Sequence, residues 1–502
     1  MSSYGQPAAA RRGGPLALVA LGGFAFLLTI PLGAQAALGG AVVLLVACLL
    51  ALRDSTAPVF TWTNAAVMLL LLIWFVPIKT YSFPVDLPFQ LEPYRVFLLV
   101  LIFTWLLGLI AGHSRLSAGG HAYPLILFTA GLFATQILNF NELNAGSTDP
   151  EALLALSYLL SFVIVFLLVT STIDSISALE QLVRVLVVGA AIVAATALYD
   201  SRFSYNVFEH LHEWIPILEF TPREVDAVRG GRLRVFGSAQ HPIALSVALL
   251  MIVPFALLLS RRASTALRSR LWIGAALLCA VGAIATVSRT TVLMVIAMLV
   301  VALLLRARAI LPYWPLIFVL PVVVHFAAPG ALGGIYNSIF PDEGFVSSLG
   351  TGRAGQPGSG RLADLGPGYD LWSKSPFVGR GVGQQDIAPE LPPGAVEREG
   401  IPLIFDNQYL STLVTTGLLG LIALAWFTWG GVVKLARAAK DRLGPPSDLI
   451  AACSVSAAGF GASMIVFDAL YFVQCTLIFF LVLAIGFRAR ELCAAAGDRR
   501  AV

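Results

Sequence analysis

Runs of about 17 to 20 apolar residues recur along nearly the whole chain, and they constrain its fold more than any other feature. Each run is long enough to cross a hydrocarbon core of roughly 30 Å as an α-helix. Strands of a membrane barrel are shorter and alternate in polarity, so the runs favour helices. Because 58% of the residues are hydrophobic and 12% are charged, a soluble globular chain is excluded. The sequence predicts an all-α, polytopic integral membrane protein.

We expect about 12 to 14 transmembrane helices. The apolar ranges are 15–33, 36–52, 60–77, 94–112, 122–138, 151–171, 181–199, 239–259, 271–287, 290–305, 310–328, 409–428, 448–466 and 469–487. They predict a cytoplasmic tail over 1–14, helices over 15–199, an outer loop with an amphipathic helix over 200–238, helices over 239–328, a large outer loop with short helices over 329–408, helices over 409–487 and a cytoplasmic tail over 488–502.

Basic residues indicate the orientation, because cytoplasmic connections of membrane proteins are enriched in lysine and arginine. With the N-terminus inside, the inner connections collect Arg11, Arg12, Arg53, Arg115, Arg261, Arg262, Arg268, Arg270, Arg306, Arg308, Lys434, Arg437, Lys440, Arg442, Arg488, Arg490, Arg499 and Arg500. The pattern predicts a multi-pass membrane protein with both termini in the cytoplasm. The two long loops then face outward, and we expect the chemistry there.

Several arginines stand out on the predicted outer face. Arg232 and Arg234 precede the apolar run at 239–259, where insertion does not favour positive charge. Arg289 lies in a turn with almost no loop, so its side chain is expected at the membrane boundary, where an ionisable group is a functional candidate. The alternatives are a solvated loop charge for the first two and a snorkelling anchor for Arg289.

The segment "GRLADLGPGYDLWSKSPFVGRGVG" begins with Arg361 and has apolar residues at the spacing of a short helix on the membrane surface. A guanidinium can hold a phosphate through two parallel hydrogen bonds, which lysine cannot do. Trp372, Lys374 and Arg380 in the same segment are further candidates for contact with a ligand.

Asp406, Asn407 and Tyr409 stand at the outer start of another apolar helix. Asp406 is either an N-cap or a carboxylate that accepts a proton from a hydroxyl. His241, at a helix start, suits either capping or ligand contact, and Asp468 is an isolated acid at an outer turn. The "EHLHEW" stretch favours an interfacial amphipathic helix over a metal site, and we expect no metal.

Four stretches in order, "RLRVFGSAQHP", "SRTTVLMV", "GRLADLGPGYDLWSKSPFVGRGVG" and "DNQYLSTLVTTGLLG", resemble the O-antigen ligase and O-antigen polymerase superfamily of polytopic glycosyltransferases over about residues 230–425. The resemblance implies transfer of a glycan from undecaprenyl diphosphate to an acceptor hydroxyl outside the inner membrane. Essential arginines of the family correspond to Arg289 and Arg361, and the segment of Arg234 also matches. Where the family usually has His-Asn, this chain has Asp406-Asn407.

The resemblance implies two partners, a lipid-linked glycan donor and a lipid or glycan acceptor, in contact with membrane lipids and without a cofactor or nucleic acid. We expect an inverting, metal-independent transfer in which Asp406, Arg289 and Arg361 are catalytic. The residues expected to bind diphosphate are Arg289, Arg361, Arg234, Arg232 and Arg380. The residues expected to bind the rest of the substrates are Asn407, Tyr409, Trp372, Lys374, His241 and Asp468.

Three alternatives stay open at this point. A polysaccharide polymerase uses the same donor chemistry and differs only in its acceptor. A lipid-linked oligosaccharide flippase also has many helices and a basic cavity, although we find no matched pair of Gly/Pro-broken helices in two halves of the chain. A metal-dependent glycosyltransferase carries acids in its first outer loop, whereas residues 33–36 contain none.

Overall fold

The computed structural model describes residues 61–85, 90–141, 149–222, 228–229, 232–328, 330–333, 336, 364–382, 405–440 and 445–498. The predicted spans at 15–33 and 36–52 lie outside these residues, as does Arg361. From residue 60 onward, each predicted apolar range coincides with a helix.

The helices are α1 Trp62–Phe75, α2 Pro93–Ile110, α3 Ala122–Leu138, α4 Asp149–Thr172, α5 Ile176–Phe203, α6 Leu211–Trp214, α7 Pro242–Arg262, α8 Ala266–Ala285, α9 Arg289–Ile310, α10 Leu316–Ala327, α11 Leu365–Lys374, α12 Gln408–Ala425, α13 Gly431–Lys440, α14 Pro445–Ser463 and α15 Val473–Asp498. The strands are β1 Tyr81–Ser82, β2 Glu219–Phe220, β3 Val228–Arg229 and β4 Arg232–Leu233, which pair antiparallel as β1 with β2 and β3 with β4.

Within the described residues, seven helical segments are long and apolar enough to cross a membrane. They are α2, α4, α5, α7, α8, α9 and the continuous segment Gln408–Lys440, which joins α12 to α13 through the π-helical turn Trp426–Gly430. Large apolar side chains also cover the outer surface of the bundle, as at Ile110, which is 84% exposed. The prediction of an all-α polytopic membrane protein is confirmed.

Helix α7 lies at the centre of the bundle. Most of its residues are buried, because it is apolar on every face and packs against α5, α8 and α14. Helix α15 packs against α14 and α4, and its aromatic rings stack with those of neighbouring helices, for example Phe479 on Phe460 at 4.1 Å between centroids. These contacts join the two halves of the sequence into one core.

The bundle has two chemically different ends. The end that holds the starts of α7, α9 and α12 is called the Arg289 end. The opposite end is called the Arg306 end. The described members of the predicted cytoplasmic basic set lie at the Arg306 end, as expected from the alternating helix directions. This distribution agrees with the predicted orientation, which stays a prediction.

The loop predicted over 200–238, with an amphipathic helix, begins later than residue 200 in the structure. Helix α5 continues to Phe203 and ends at Ser204, whose φ of +53° is left-handed and interrupts the helix. A 3-10 turn at Val207–Glu209 and the four-residue α6 follow, and Pro216 comes two residues after α6. The helices within this loop are therefore short, and its strand β2 pairs with β1, which follows α1.

Helix α12 is interrupted in its middle by Gly417, at φ +67° and ψ −167°. The loop 376–381 lies against this interruption and restores the broken backbone hydrogen bonds. Arg380 N–H donates to the Val414 carbonyl at 3.0 Å, and Leu418 N–H donates to the Pro376 carbonyl at 2.9 Å. An irregular backbone is tolerated at membrane depth only when protein satisfies its polar groups in this way.

Helix α3 holds the same loop from the other side. Asn139 Nδ2 donates to the Gly379 carbonyl at 3.1 Å, and Gln136 Nε2 donates to the Val382 carbonyl at 3.0 Å. Thr135 Oγ1 donates to the Thr415 carbonyl in α12 at 2.8 Å. The loop that follows α11 is thereby fixed between α3 and α12 at the Arg289 end.

Arg306 stabilises the opposite end. Its backbone departs from helical geometry (φ −146°, ψ 44°), and its guanidinium donates to Asp448 Oδ1 at 2.9 Å, to the Ala439 carbonyl at 2.8 Å and to Ser447.

We expect Arg306→Met to lower the free energy of unfolding by about 2 kcal/mol, because hydrogen bonds to a charged group are lost and Asp448 loses its partner. Thermal unfolding in detergent measures this change. Arg308→Met, at an exposed position of the same helix, should change stability by less than about 0.5 kcal/mol. Equal stability of the two variants would contradict the role of Arg306.

Candidate active site

The turn before α9 brings two of the predicted arginines onto contacting segments. Arg234 is 2% exposed, and its Nε donates to the Thr286 carbonyl at 3.3 Å. Thr286 ends the turn from α8, and Arg289, which is half-buried, is the first residue of α9. The segment before α7 and the turn before α9 therefore meet at the same end of the bundle.

Uncharged polar groups flank these arginines. The hydroxyls of Ser288 and Thr290 and both side-chain amide atoms of Gln240 are buried and have no hydrogen-bonding partner in the part of the chain that the structure describes. Buried polar groups in proteins are nearly always hydrogen-bonded, to protein, water or a ligand. Their position beside Arg289 and His241 is what a site for a polar ligand requires.

His241 caps helix α7. Its Nδ1 accepts a hydrogen bond from the Ile243 backbone N–H at 3.2 Å, and its ring lies 5.4 Å from that of Phe472 between centroids. Of the two roles that its position suits, the structure thus gives it the capping one. The contact with Phe472 connects the start of α7 to the connection between α14 and α15.

This connection, residues 464–472, joins the start of α7 to the start of α12. Gln474, in the first turn of α15, donates to Ser238 Oγ at 3.1 Å. Gln408, the first residue of α12, donates its backbone N–H to the Met464 carbonyl at 2.8 Å and accepts from Leu470 N–H at 2.5 Å. Asp468 is 4% exposed and accepts from Ser411 Oγ at 3.5 Å. Asp468 therefore lies against the first turn of α12.

The residue that caps α12 is Asn407. Its side-chain oxygen accepts from the backbone N–H groups of Tyr409 and Leu410, at 2.9 and 3.2 Å. The N-cap interpretation of Asp406 is therefore wrong, and the Asp406 side chain is half-buried next to the cap. The Asp406 backbone N–H donates to Oδ2 of Asp364 at 3.4 Å, so a second acid, 2% exposed, lies beside it.

Helix α11, Leu365–Lys374, packs on α12 through Gly368 and Leu371. Trp372 Nε1 donates to the Pro376 carbonyl at 3.0 Å, which fixes the start of the loop 376–381. Lys374 is exposed in the last turn of α11, and Arg380 is half-buried in the loop. The structure describes the backbone of Arg232 in β4 and leaves Arg361 outside the described residues, so the roles predicted for these two side chains stay predictions.

Tyr409 points into the bundle. Its hydroxyl donates to the Gly461 carbonyl at 2.8 Å and accepts from Trp429 Nε1 at 2.9 Å. These contacts explain its presence near the start of α12 by packing, since a buried tyrosine hydroxyl needs such partners. Its predicted contact with substrate stays a prediction.

A buried charged cluster at the same end was missed in the sequence. Glu92, 1% exposed, accepts from Lys79 N–H at 2.9 Å and from the Tyr158 hydroxyl at 2.8 Å, and it pairs with Arg95 Nε at 2.8 Å. Lys79 Nζ donates to the Tyr471 carbonyl at 3.3 Å and lies 3.6 Å from the centroid of its ring. The spacing of three residues between Glu92 and Arg95 is the sequence signal that could have indicated an ion pair on a helix.

The electrostatics of Lys79 connect this cluster to the start of α12. Burial lowers the pKa of the Lys79 ammonium to about 8, and the negative charges of Glu92 and Asp468 oppose that shift. Near neutral pH the ammonium therefore still carries a proton on most molecules. The Arg289 end thus combines an arginine before α7 and another at the first residue of α9, acids before α11 and α12, and a lysine that lies within electrostatic range of Asp468.

Residues 274–425 match the model of a family described as O-antigen ligase. A comparison with curated proteins finds no match to the chain. The matched region contains the turn with Arg289, helix α11 and the start of α12, which are three of the four stretches that carry the resemblance found in the sequence. Over residues 274–425, the chain is therefore similar to the O-antigen ligase family.

Proposed function

We propose that this protein transfers a glycan from undecaprenyl diphosphate to an acceptor hydroxyl at the outer face of a bacterial plasma membrane, in the assembly of a surface polysaccharide. The observation that carries the proposal is the hydrogen bond from Arg234 to Thr286, because it joins an arginine outside the matched region to the turn of Arg289 within it. Two guanidinium groups on adjoining segments suit a ligand with two phosphates.

The arginines act on the leaving group. As the bond between the sugar and the diphosphate breaks, negative charge grows on the departing oxygen. Arg289, Arg361 and Arg234 stabilise that charge, and they do so more strongly at a membrane boundary than in water because the local permittivity is low. Arg232 and Arg380 assist in binding, and no metal ion is needed. The polyprenyl chain lies along the apolar helices.

Asp406 acts as the general base. A carboxylate beside a diphosphate is repelled, so Asp406 faces the acceptor hydroxyl and removes its proton as the oxygen attacks the sugar. Attack from the face opposite the diphosphate inverts the anomeric centre. Asn407, Trp372, Lys374, His241 and Asp468 shape the surrounding site, through direct contact or, for Asn407 and His241, through the caps that fix the helix starts.

The decisive experiment supplies purified protein with a defined undecaprenyl-diphosphate glycan and candidate acceptors. We expect a new glycosidic bond of inverted configuration, release of undecaprenyl diphosphate, and the same rate in EDTA. Extension of a repeat-unit acceptor would indicate polymerase activity, and transfer to a lipid acceptor would indicate ligase activity. Movement of the donor across vesicle membranes without bond formation would instead favour a flippase and overturn the proposal.

Substitution of Asp406 tests the proposed base. We expect Asp406→Asn to lower the transfer rate by about two to four orders of magnitude, because an amide cannot take the proton. The rate is measured with the purified variant, together with its elution from a sizing column. Asp370→Asn is the matched control, since Asp370 is exposed on α11 and its loss should leave the rate unchanged. Normal activity of Asp406→Asn would exclude the base.

A further inference from the structure

A cavity of about 290 Å³ lies far along the bundle from the candidate active site, toward the Arg306 end. Helices α7, α8, α9, α10 and α14 surround it, and its walls are apolar except at one edge. The cavity is half-open to the surface of the bundle, and an apolar cavity of about 150 Å³ already accepts benzene. The space is therefore large enough for a segment of a hydrocarbon chain.

Two helix irregularities explain why the cavity exists. Pro254 stands inside α7, where it removes a backbone hydrogen bond, and Arg306 interrupts α9. The facing positions carry small side chains, Ala276 and Ala280 on α8 and Ala302 on α9. The helices leave a gap over this length, and the short side chains do not fill it.

The polar edge of the cavity has a surplus of positive charge. Arg261, Arg306 and Asp448 line it. Arg306 pairs with Asp448 at 2.9 Å, and the neighbouring Arg262 pairs with Glu180 at 2.8 Å. Arg261 is exposed and forms no ion pair with any residue that the structure describes. One guanidinium at the mouth of the apolar cavity is thus available to an anion.

We infer that this cavity binds an acyl chain of an anionic phospholipid, whose phosphate contacts Arg261. The apolar walls suit a hydrocarbon chain and the charge at the edge suits a phosphate diester, so the two features together select a charged lipid. The inference is independent of the proposed glycosyl transfer, because the cavity shares no residue with the candidate active site. The lipid stabilises α7, α9 and α14 where their packing is interrupted.

The test uses the full chain in detergent and phosphatidylglycerol with a diazirine in one acyl chain. After irradiation and proteolysis, we expect labelled peptides from α7, α8 and α9, and competition by unlabelled phosphatidylglycerol but only weakly by phosphatidylcholine. Absence of label from these helices would overturn the inference. Displacement of the label by undecaprenyl phosphate as efficiently as by phosphatidylglycerol would assign the cavity to a polyprenyl chain and would overturn it as well.

Two variants separate the acyl chain from the phosphate. Ala302→Phe fills the cavity and should reduce labelling by about tenfold, whereas Leu304→Phe, at a position on α9 that is 68% exposed, should leave labelling unchanged. Arg261→Gln should keep the labelled peptides and remove the preference over phosphatidylcholine. If Ala302→Phe does not elute as a folded protein, Ala280→Leu gives the same comparison. Unchanged labelling in the cavity-filling variant would refute the inference.

Discussion

Replacing Arg289 with alanine is expected to lower the rate of glycosyl transfer by about a hundredfold to a thousandfold, the cost of removing one preset donor from a developing negative charge. The expectation follows from the position of Arg289 at the first residue of α9, where buried polar groups adjoin it and Arg234 is hydrogen-bonded to the preceding turn. In cells, lipid-linked glycan should accumulate while the variant still inserts into the membrane.

Matched variants distinguish a catalytic role of Arg289 from a structural one. Arg289→Lys keeps the charge but not the planar pair of donors, so it should recover only part of the activity. Arg308→Ala, at the far end of the same helix, should transfer at the wild-type rate, and Arg361→Ala should resemble Arg289→Ala. Full transfer by Arg289→Ala, with normal amounts of protein, would remove Arg289 from the mechanism.

The sequence was sufficient to locate the helices from residue 60 onward, because an apolar run of about 20 residues has few structures open to it in a membrane. It did not predict the interruption of α12. "STLVTTGLLGL" is apolar throughout and contains glycines that membrane helices tolerate, so nothing in it distinguishes the left-handed Gly417 from the helical Gly420. The difference arises from the loop 376–381, which is distant in sequence and displaces part of the hydrogen-bond ladder.

The charged residues of the candidate site could be predicted from the sequence, but the contacts between them could not. An arginine at the edge of an apolar run, such as Arg289, is conspicuous in a sequence because its burial is costly. The contacts that assemble the site join residues far apart in the chain, as in the pairs Arg234 with Thr286 and Ser411 with Asp468. Glu92 was overlooked for the same reason, since its partners Lys79 and Tyr158 come from different connections and helices.

The close approach between the backbones of α12 and the loop 376–381 predicts a second large effect, a loss of folding stability when either glycine is replaced. A Cβ at Gly417 would lie 2.3 Å from the Phe377 carbonyl carbon, and a Cβ at Gly379 would lie 2.4 Å from the Thr415 carbonyl carbon. Both glycines have φ near +70°, which costs an L-residue roughly 1–2 kcal/mol before any clash is counted. Because each clash is with backbone, a rotamer change cannot relieve it, and α12 must separate from the loop.

We therefore expect Gly417→Ala and Gly379→Ala to lower the free energy of unfolding by about 3 kcal/mol or more, in the range of the most damaging single substitutions. Thermal unfolding of the detergent-solubilised protein, followed on a sizing column, measures the loss. Gly274→Ala in α8 is the matched control: a Cβ there meets nothing within 4 Å, and alanine should stabilise the helix by up to about 1 kcal/mol. If Gly417→Ala unfolds at the same temperature as Gly274→Ala, loop 376–381 does not pack into the interruption of α12. Arg380 would then not be held beside α12, since its backbone contact with Val414 depends on that packing.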